Sequence, residues 1–484
     1  MSVAAEPGSP EPPLFIDLDG TLVKTDLLLE SALVLIKRRP WMIVLLPWWL
    51  LRGRAHLKAE IARRAEVAAD TLVYDERLLG RLRHERERGR PLVLATASHQ
   101  RYAEAIAQHL GLFTGVLASD GTRNLKGDQK LAAILAYTSG ASFDYAGNEA
   151  ADLPIWRKAR KAICVDAPAS VVRAVRQFTE PEELARSRQS YPTLLVRSIR
   201  VHQWLKNSLV FVAIAAAHRI ADIAADLRVV AAFWAYSLCA SSVYVLNDLM
   251  DLRSDRMHPR KRHRPFASGE LPISHGLMLA PILLATSAAI AIVVLPRIFL
   301  VVIATYYVSS MAYNFAAKER AVWDVVLLAG LYVLRVLAGA AAVPVAPSVW
   351  LLAFSMFVFL SLALAKRYSE MYTLHKLGRG HAHGRGYVTE DMPVLQSMGV
   401  ASSYLAVLVM ALYINSPEVH TLYAQPYVLW AICPLLLFWT TRIWLKTHRG
   451  EMHDDPVVFA LRDGVSLLVG ALTIACLAIG TIRM

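Results

Sequence analysis

The chain has 484 residues, 55% of them hydrophobic, with mean hydropathy +0.38 and a formal net charge of +13. The length allows more than one domain, and the apolar content excludes an ordinary soluble protein. Most of the positive charge sits in short loops between apolar segments, which marks membrane topology and argues against a nucleic-acid-binding surface. Cys164, Cys239, Cys433 and Cys476 are far apart and form neither a disulfide framework nor a zinc site, so they read as packing residues.

The first residues carry no basic stretch followed by an apolar core, so the N-terminal part is expected to stay in the cytosol. Residues 1–176 alternate strands and helices as an α/β domain: an apolar run ending in Asp17, then 92–96, 143–147 and 162–166. The run Phe15-Ile16-Asp17-Leu18-Asp19-Gly20-Thr21 is a strand ending in two carboxylates two residues apart, which face one ligand only if the backbone turns, and Gly20 permits the turn. Such a pair suits Mg²⁺-assisted phosphoryl transfer, with Asp17 as nucleophile and Asp19 as acid/base. Thr96, Lys130 with Lys126 as a rival, and Asn148, Glu149 and Asp152 follow in order, with Asp17, Asp19, Asn148 and Asp152 as candidate metal ligands. Residues 38–54 are apolar, Trp-rich and flanked by Arg, too short and Pro-broken for a span, and are expected at the membrane interface rather than in a buried hairpin.

A polar linker, 177–194, precedes a helical membrane region, 195–484. About nine apolar runs there reach the roughly 20 residues needed to cross a bilayer, near 207–222, 227–247, 274–294, 296–315, 323–343, 347–366, 394–414, 423–444 and 463–481. Lys and Arg concentrate in loops 253–264, 318–324, 366–385 and 446–455, whereas 343–347 and 415–426 are nearly free of them. This predicts a multi-pass protein of the inner membrane, with the N-terminal domain and the basic loops in the cytoplasm and the C-terminus outside.

Where the second run meets the cytoplasm, Asn247, Asp251 and Asp255 recur every four residues, with Asp248 beside them, so a helix puts their oxygens on one face. Stacked carboxylates at a membrane edge repel unless a cation bridges them, and an oxygen donor set suits Mg²⁺ that takes its other ligands from substrate phosphates. Of the cations that follow, Lys261, Arg262 and Arg264, the last is the preferred phosphate ligand. Arg335 inside the fifth run reads equally as a site residue or as a bundle-packing charge. Asp454 and Asp455 either join the metal or cap the last helix, and His381 and His383 belong to a Gly-rich loop.

The motif from Asn247 to Asp255 resembles that of the UbiA superfamily, whose members hold a Mg²⁺-diphosphate there; the resemblance covers most of 195–484. The family's second motif usually carries two acids four apart, but here Lys366 and Glu370 stand at that spacing. Stretches 200–207, 247–265, 313–324, 333–339 and 453–463 are similar to the polyprenyl-phosphate phosphoribosyltransferase branch, the decaprenyl-phosphate enzymes being its nearest type. That resemblance implies phosphoribosyl diphosphate as donor and polyprenyl phosphate as acceptor, two anions that need cations as well as metal. Lys206, Arg264, Tyr313, Lys318, Lys366, Arg367 and Glu370 are the substrate-binding candidates. A prenyltransferase acting on an aromatic acceptor and a non-catalytic lipid binder are the rivals. Residues 14–170 resemble the haloacid dehalogenase-like phosphatases, with Asn148 where an Asp is common. Together the two resemblances imply transfer of 5-phosphoribose to the lipid followed by removal of the 5-phosphate.

Overall fold

A computed structural model describes residues 11–184, 189–217, 222–343, 345–378, 386–452 and 455–482. His381, His383 and Asp454 lie outside the described residues. Two compact units emerge: one comprises the chain up to Ile199 together with Tyr244–Leu279, the other Arg200–Val243 and Ala280 onward. The expected N-terminal domain thus forms one unit with the segment carrying the acidic motif.

The first unit contains a parallel sheet of β1 (Leu14–Ile16), β2 (Leu92–His99), β3 (Gly115–Ser119), β4 (Asp144–Gly147), β5 (Lys161–Val165) and β6 (Glu182–Leu184), in the order β3-β2-β1-β4-β5-β6. β6 falls inside the stretch 177–194, and its pairing with β5 makes part of that stretch a sheet edge. Because β1, β2, β4 and β5 are covered on both faces, they read as apolar runs: Leu14, Ile16, Leu92 and Leu94 face one core cluster, Phe15, Val93, Tyr145 and Cys164 the other. β1 pairs with β2 on one side and β4 on the other, so the strand order reverses between β1 and β4, where open α/β sheets place their ligands. At the opposite end of the sheet Asp144 is fully buried, held by Arg90 and by Arg160 at 2.8 and 3.0 Å.

Pro40–Val44 and Leu45–Leu51 form two short helices. One side, with Met42 and Trp49, packs on Leu35 and Ile61, while Trp41, Val44, Trp48 and Leu51 are exposed. Arg52 lies 5.3 Å from the Trp48 ring centroid.

Among the described residues, eight helices are long and apolar enough to cross a membrane: α1 (Ile223–Met250), α2 (Ile273–Val294), α3 (Arg297–Ala317), α4 (Trp323–Ala342), α5 (Val349–Lys376), α6 (Thr389–Ile414), α7 (Pro426–His448) and α8 (Gly464–Thr481). The first expected run, 207–222, lies partly outside the described residues. Where described, it takes in the end of a 3₁₀ stretch, Val201–Phe211, and a short helix, Val212–Ala216, with Lys206 and Asn207 buried. α4 packs directly on that stretch, and a Cβ at Gly339 would lie 1.8 Å from the Val210 carbonyl oxygen. The exposed apolar faces, such as Ile292 and Val293 of α2 and Leu468 and Ile474 of α8, suit lipid.

Replacing Asp144 by Ala takes the fully buried carboxylate from Arg90, which keeps the looser contacts with Glu85 at 3.3 Å and Glu11 at 3.6 Å. The expected cost is about 3 kcal/mol or more, measured as a lower midpoint of thermal unfolding of the detergent-solubilised chain.

Candidate functional sites

The N-terminal site is built at the sheet reversal. The Asp17 N–H donates to the Ala146 carbonyl at 2.9 Å, tying the end of β1 to β4. Lys130, on the helix Asp128–Tyr137, donates from Nζ to Asp17 Oδ1 at 2.8 Å, Tyr145 Oη at 2.9 Å and Asp152 Oδ1 at 3.4 Å. Tyr145 Oη donates to Asp152 Oδ1 at 2.7 Å, and the Asn148 and Glu149 N–H groups donate to Asp152 Oδ2, both at 3.1 Å. Asp152 therefore positions Lys130 and the 148–149 turn, and both its oxygens are engaged. Lys126 instead pairs with exposed Glu149 at 2.9 Å.

Asp19 accepts from Leu27 N–H at 2.8 Å and Ser98 Oγ at 2.6 Å, while Thr96 Oγ1 accepts from Ser98 N–H at 2.9 Å. Gly20 has φ +74°, and a Cβ there would sit 2.2 Å from Asn148 Nδ2, whose amide oxygen accepts from Thr21 Oγ1 at 3.1 Å. Burial lifts the Asp17 carboxyl to about 7 against the pull of Lys130. It lifts Asp19 to about 6, with Asp26 adding to the rise. Lys130 is itself buried, yet Asp17 and Asp152 outweigh the burial and keep it charged. Tyr145, Ser98 and Lys58, which donates to the Ala97 carbonyl at 2.6 Å and Asn124 at 2.8 Å, have no signature in the sequence.

In the acidic segment, α1 ends at Met250 and a short helix, Leu252–Met257, follows, with Asp251 N–H on the Asn247 carbonyl and Asp255 N–H on the Asp251 carbonyl, both at 2.9 Å. The helix expected to be continuous from Asn247 to Asp255 is therefore interrupted at Asp251, although the four-residue hydrogen bonds run on across the break. Arg264 Nη1 bridges Asp248 Oδ1 at 2.9 Å and Asp255 Oδ2 at 2.6 Å. Burial raises the Asp255 carboxyl; Arg264 opposes the rise and Asp248 adds to it. Asp251 pairs with Lys37 at 2.6 Å. These carboxylate oxygens are of the type Mg²⁺ takes, but among the described residues no three acids or histidines stand close enough together to hold a metal ion, and the charges of Asp248, Asp251 and Asp255 are met by Arg264 and Lys37.

The second unit holds the remaining candidates. Lys206 and Lys366 both donate to Asp455 Oδ2 at 2.9 Å. Burial would raise the Asp455 carboxyl, but the two lysines outweigh it and hold it well below the usual carboxylate range. Asp455 also caps the short helix Pro456–Ala460, whereas Asp463 caps α8. The cap of the last helix expected from Asp455 is thus supplied by Asp463. Arg367 is fully buried, with Asp324 at 2.5 Å, Glu370 at 2.6 Å and Tyr313 Oη at 2.8 Å, and Tyr387 Oη donates to Asp324 at 2.8 Å. This guanidinium pins α4 to α5. Lys318, at the end of α3, donates its N–H to the Tyr313 carbonyl at 3.0 Å. Arg335 bonds Asn207 at 3.0 Å and the Leu331 carbonyl at 2.6 Å, among the rings of Tyr236, Tyr306 and Tyr332, as a packed intramembrane charge would.

The UbiA prenyltransferase family model matches residues 208–462, more than half of the chain. The chain belongs to the UbiA prenyltransferase family. As such, and with eight apolar helices, it is a multi-pass membrane protein. A haloacid dehalogenase-like hydrolase model matches 14–157, so this UbiA member carries a haloacid dehalogenase-like domain at its N-terminus. An uncharacterized protein of Sinorhizobium fredii, y4nM, is 37% identical over 464 residues, 95% of this chain and 89% of that protein. The decaprenyl-phosphate phosphoribosyltransferase of Mycolicibacterium smegmatis is 35% identical over 190 residues, 38% of this chain and 59% of that protein. A UbiA homolog from Archaeoglobus fulgidus, bound to DMAPP and Mg²⁺, aligns with TM-score 0.43 and 16% identity over 59% of this chain and 99% of that one.

Asp455→Asn leaves two lysines facing each other. The expected loss is about 2–3 kcal/mol, below the full buried-pair value because Lys366 keeps contact with water. A Lys366→Met change in the same chain restores part of it, and a double-mutant cycle on thermal midpoints reads the coupling.

Proposed function

We propose that this UbiA member transfers 5-phosphoribose from phosphoribosyl diphosphate to a polyprenyl phosphate at the cytoplasmic face of the inner membrane, and that its N-terminal domain then removes the 5-phosphate. The observation that carries this reading is Lys366, standing where the family usually has an acid and paired with Lys206 on one carboxylate oxygen. A donor and an acceptor that are both phosphorylated bring more negative charge to the site than a single prenyl diphosphate and call for more cations. The similarity to a decaprenyl-phosphate phosphoribosyltransferase supports the same pair of substrates.

Asn247, Asp248, Asp251 and Asp255 would hold Mg²⁺, which when bound offsets the charge of the departing diphosphate. Arg264 shares the load on Asp248 and Asp255, and Lys206 and Lys366 bind substrate phosphates. The bond from the anomeric carbon to the diphosphate oxygen breaks through an oxocarbenium-like state as a lipid phosphate oxygen forms the new one. That oxygen is ionised at neutral pH and needs no general base. Arg367 and Tyr313 act through the bundle they pin rather than on substrate.

At the N-terminal site an Asp17 oxygen attacks phosphorus as the bond to the sugar 5-oxygen breaks, and Asp19 gives that oxygen its proton. Asp19 then takes a proton from the water that hydrolyses the aspartyl phosphate. Asp17 and the Asn148 amide oxygen would hold Mg²⁺ there, and Lys130 fixes Asp17. The exposed Trp41, Val44, Trp48 and Leu51, flanked by Arg38, Arg39, Arg52 and Arg54, would keep this site at the lipid surface.

Mass spectrometry of the lipid after incubation with Mg²⁺, polyprenyl phosphate and phosphoribosyl diphosphate tests both steps. The expected products are a ribosylated lipid from the wild type and its 5-phosphate from Asp17→Asn. No sugar transfer, with turnover of a prenyl diphosphate on an aromatic acceptor, would overturn the reading.

A further inference from the structure

The cation on Asp251 comes from a part of the chain that the membrane transferase alone does not contain. The helix Leu27–Arg38 of the N-terminal domain meets the acidic segment at two points. Glu30 receives both ends of the Arg256 guanidinium, at 2.6 and 3.0 Å, and Thr25 Oγ1 donates to Glu30 Oε2 at 2.9 Å. Arg256 also donates to the Ala267 carbonyl at 3.2 Å and the Thr71 carbonyl at 3.3 Å. The Glu30 and Arg256 side chains are each only 6% exposed, so this pair is a buried, bidentate fastening that fixes geometry. Two turns further on, about 10 Å along the helix axis, Lys37 reaches Asp251 Oδ1 at 2.6 Å. Its side chain is 38% exposed, against 15% for Asp251, so the helix is clamped at Glu30 while the lysine it presents at Asp251 stays in contact with water.

We propose that Lys37 is a donor-diphosphate ligand of the transferase site, so that the N-terminal domain completes the diphosphate-binding pocket around Asp251. The inference rests on the assignment of the acidic segment to a Mg²⁺-diphosphate made above. When Asp251 turns to a divalent cation, its contact with Lys37 is replaced, and the ammonium keeps three donors for the diphosphate oxygens arriving beside that carboxylate. Arg264 serves Asp248 and Asp255 through Nη1, and Lys37 is the cation that stands on Asp251. A lysine is suited to the task because its charge sits on a flexible stem that follows the ligand, whereas Arg256 is locked in place by Glu30.

The test uses the full-length chain in detergent, with Lys37→Met, Lys37→Arg and, as a charge control on an exposed part of the same domain, Lys158→Met. Calorimetric titration with inorganic diphosphate in the presence of Mg²⁺ is expected to show about tenfold weaker binding for Lys37→Met, recovery to within about threefold for Lys37→Arg, and no change for Lys158→Met. In turnover, KM for the diphosphate donor rises by a similar factor in Lys37→Met while kcat changes much less, and hydrolysis of p-nitrophenyl phosphate by the N-terminal site is unaltered. Unchanged diphosphate binding in Lys37→Met, or a loss that appears in kcat alone, overturns the proposal. Every donor considered carries a diphosphate, so the titration judges Lys37 even if the donor proves to be a prenyl diphosphate and the phosphoribosyl reading falls. A wild type that binds no Mg²⁺-diphosphate overturns both.

Discussion

Charges withdrawn from water must meet an opposite charge or a full set of hydrogen bonds, and the carboxylates of the acidic segment impose this first. Asp248, Asp251 and Asp255 crowd one stretch of helix, so Arg264 is drawn between two of them and Lys37 onto the third. The same constraint with the signs exchanged shapes the second unit, where Asp455 holds Lys206 and Lys366 together and Asp324 with Glu370 holds Arg367. At the sheet reversal Lys130 stands between Asp17 and Asp152. On the proposed reading, substrate binding at the acidic segment and at the lysine pair is an exchange of partners: phosphate groups and metal replace contacts that hold the unliganded sites neutral. Pairs that keep one member in touch with water, such as Lys37 and Lys366, can make that exchange. Fully enclosed ones such as Arg367 stay as fastenings.

Much of this was legible in the sequence because it is local. An apolar run ending in Asp17 marks a strand end, and the acidic repeat from Asn247 to Asp255 marks a helical segment but not its break at Asp251, without knowledge of the rest of the chain. Long apolar runs separated by basic loops announce spans for the same reason, and eight of the nine expected are helices of the required length. The run near 207–222 lies partly outside the described residues; where described, it includes the buried Asn207, whose partner Ser237 at 3.0 Å is brought by another helix and is not registered by hydropathy.

Pairings across long separations left no trace in the sequence. Lys37 and Asp251 are 214 residues apart, and Lys130 and Asp17 are 113 apart. A motif reading found Lys130 because family resemblance supplied its place in order, but nothing local distinguishes Lys37 from the other cations around residues 38–54. Arg367 shows the converse. The family resemblance put it among the phosphate ligands, yet the structure encloses it completely with Asp324, Glu370 and Tyr313, and no local sequence signal announces those partners. Tyr145 was invisible because a tyrosine within a strand is ordinary, and only the turn that returns Asp152 to its hydroxyl makes it part of a site.

The helix Leu27–Arg38 gives a physical reason for the two domains to occur in one chain. It begins with its Leu27 N–H on Asp19, is fastened to the acidic segment at Glu30, and ends by placing Lys37 on Asp251. The exposed apolar face of Pro40–Leu51 follows directly. On the proposed reading, a phosphatase that met a soluble phosphoribosyl diphosphate would destroy the donor, whereas one held at a lipid surface would meet the phosphate once the sugar is anchored there. Concentration at the interface then favours the lipid-linked phosphate over the free donor, and the order of the two proposed reactions follows from where the substrate resides rather than from a separate recognition device.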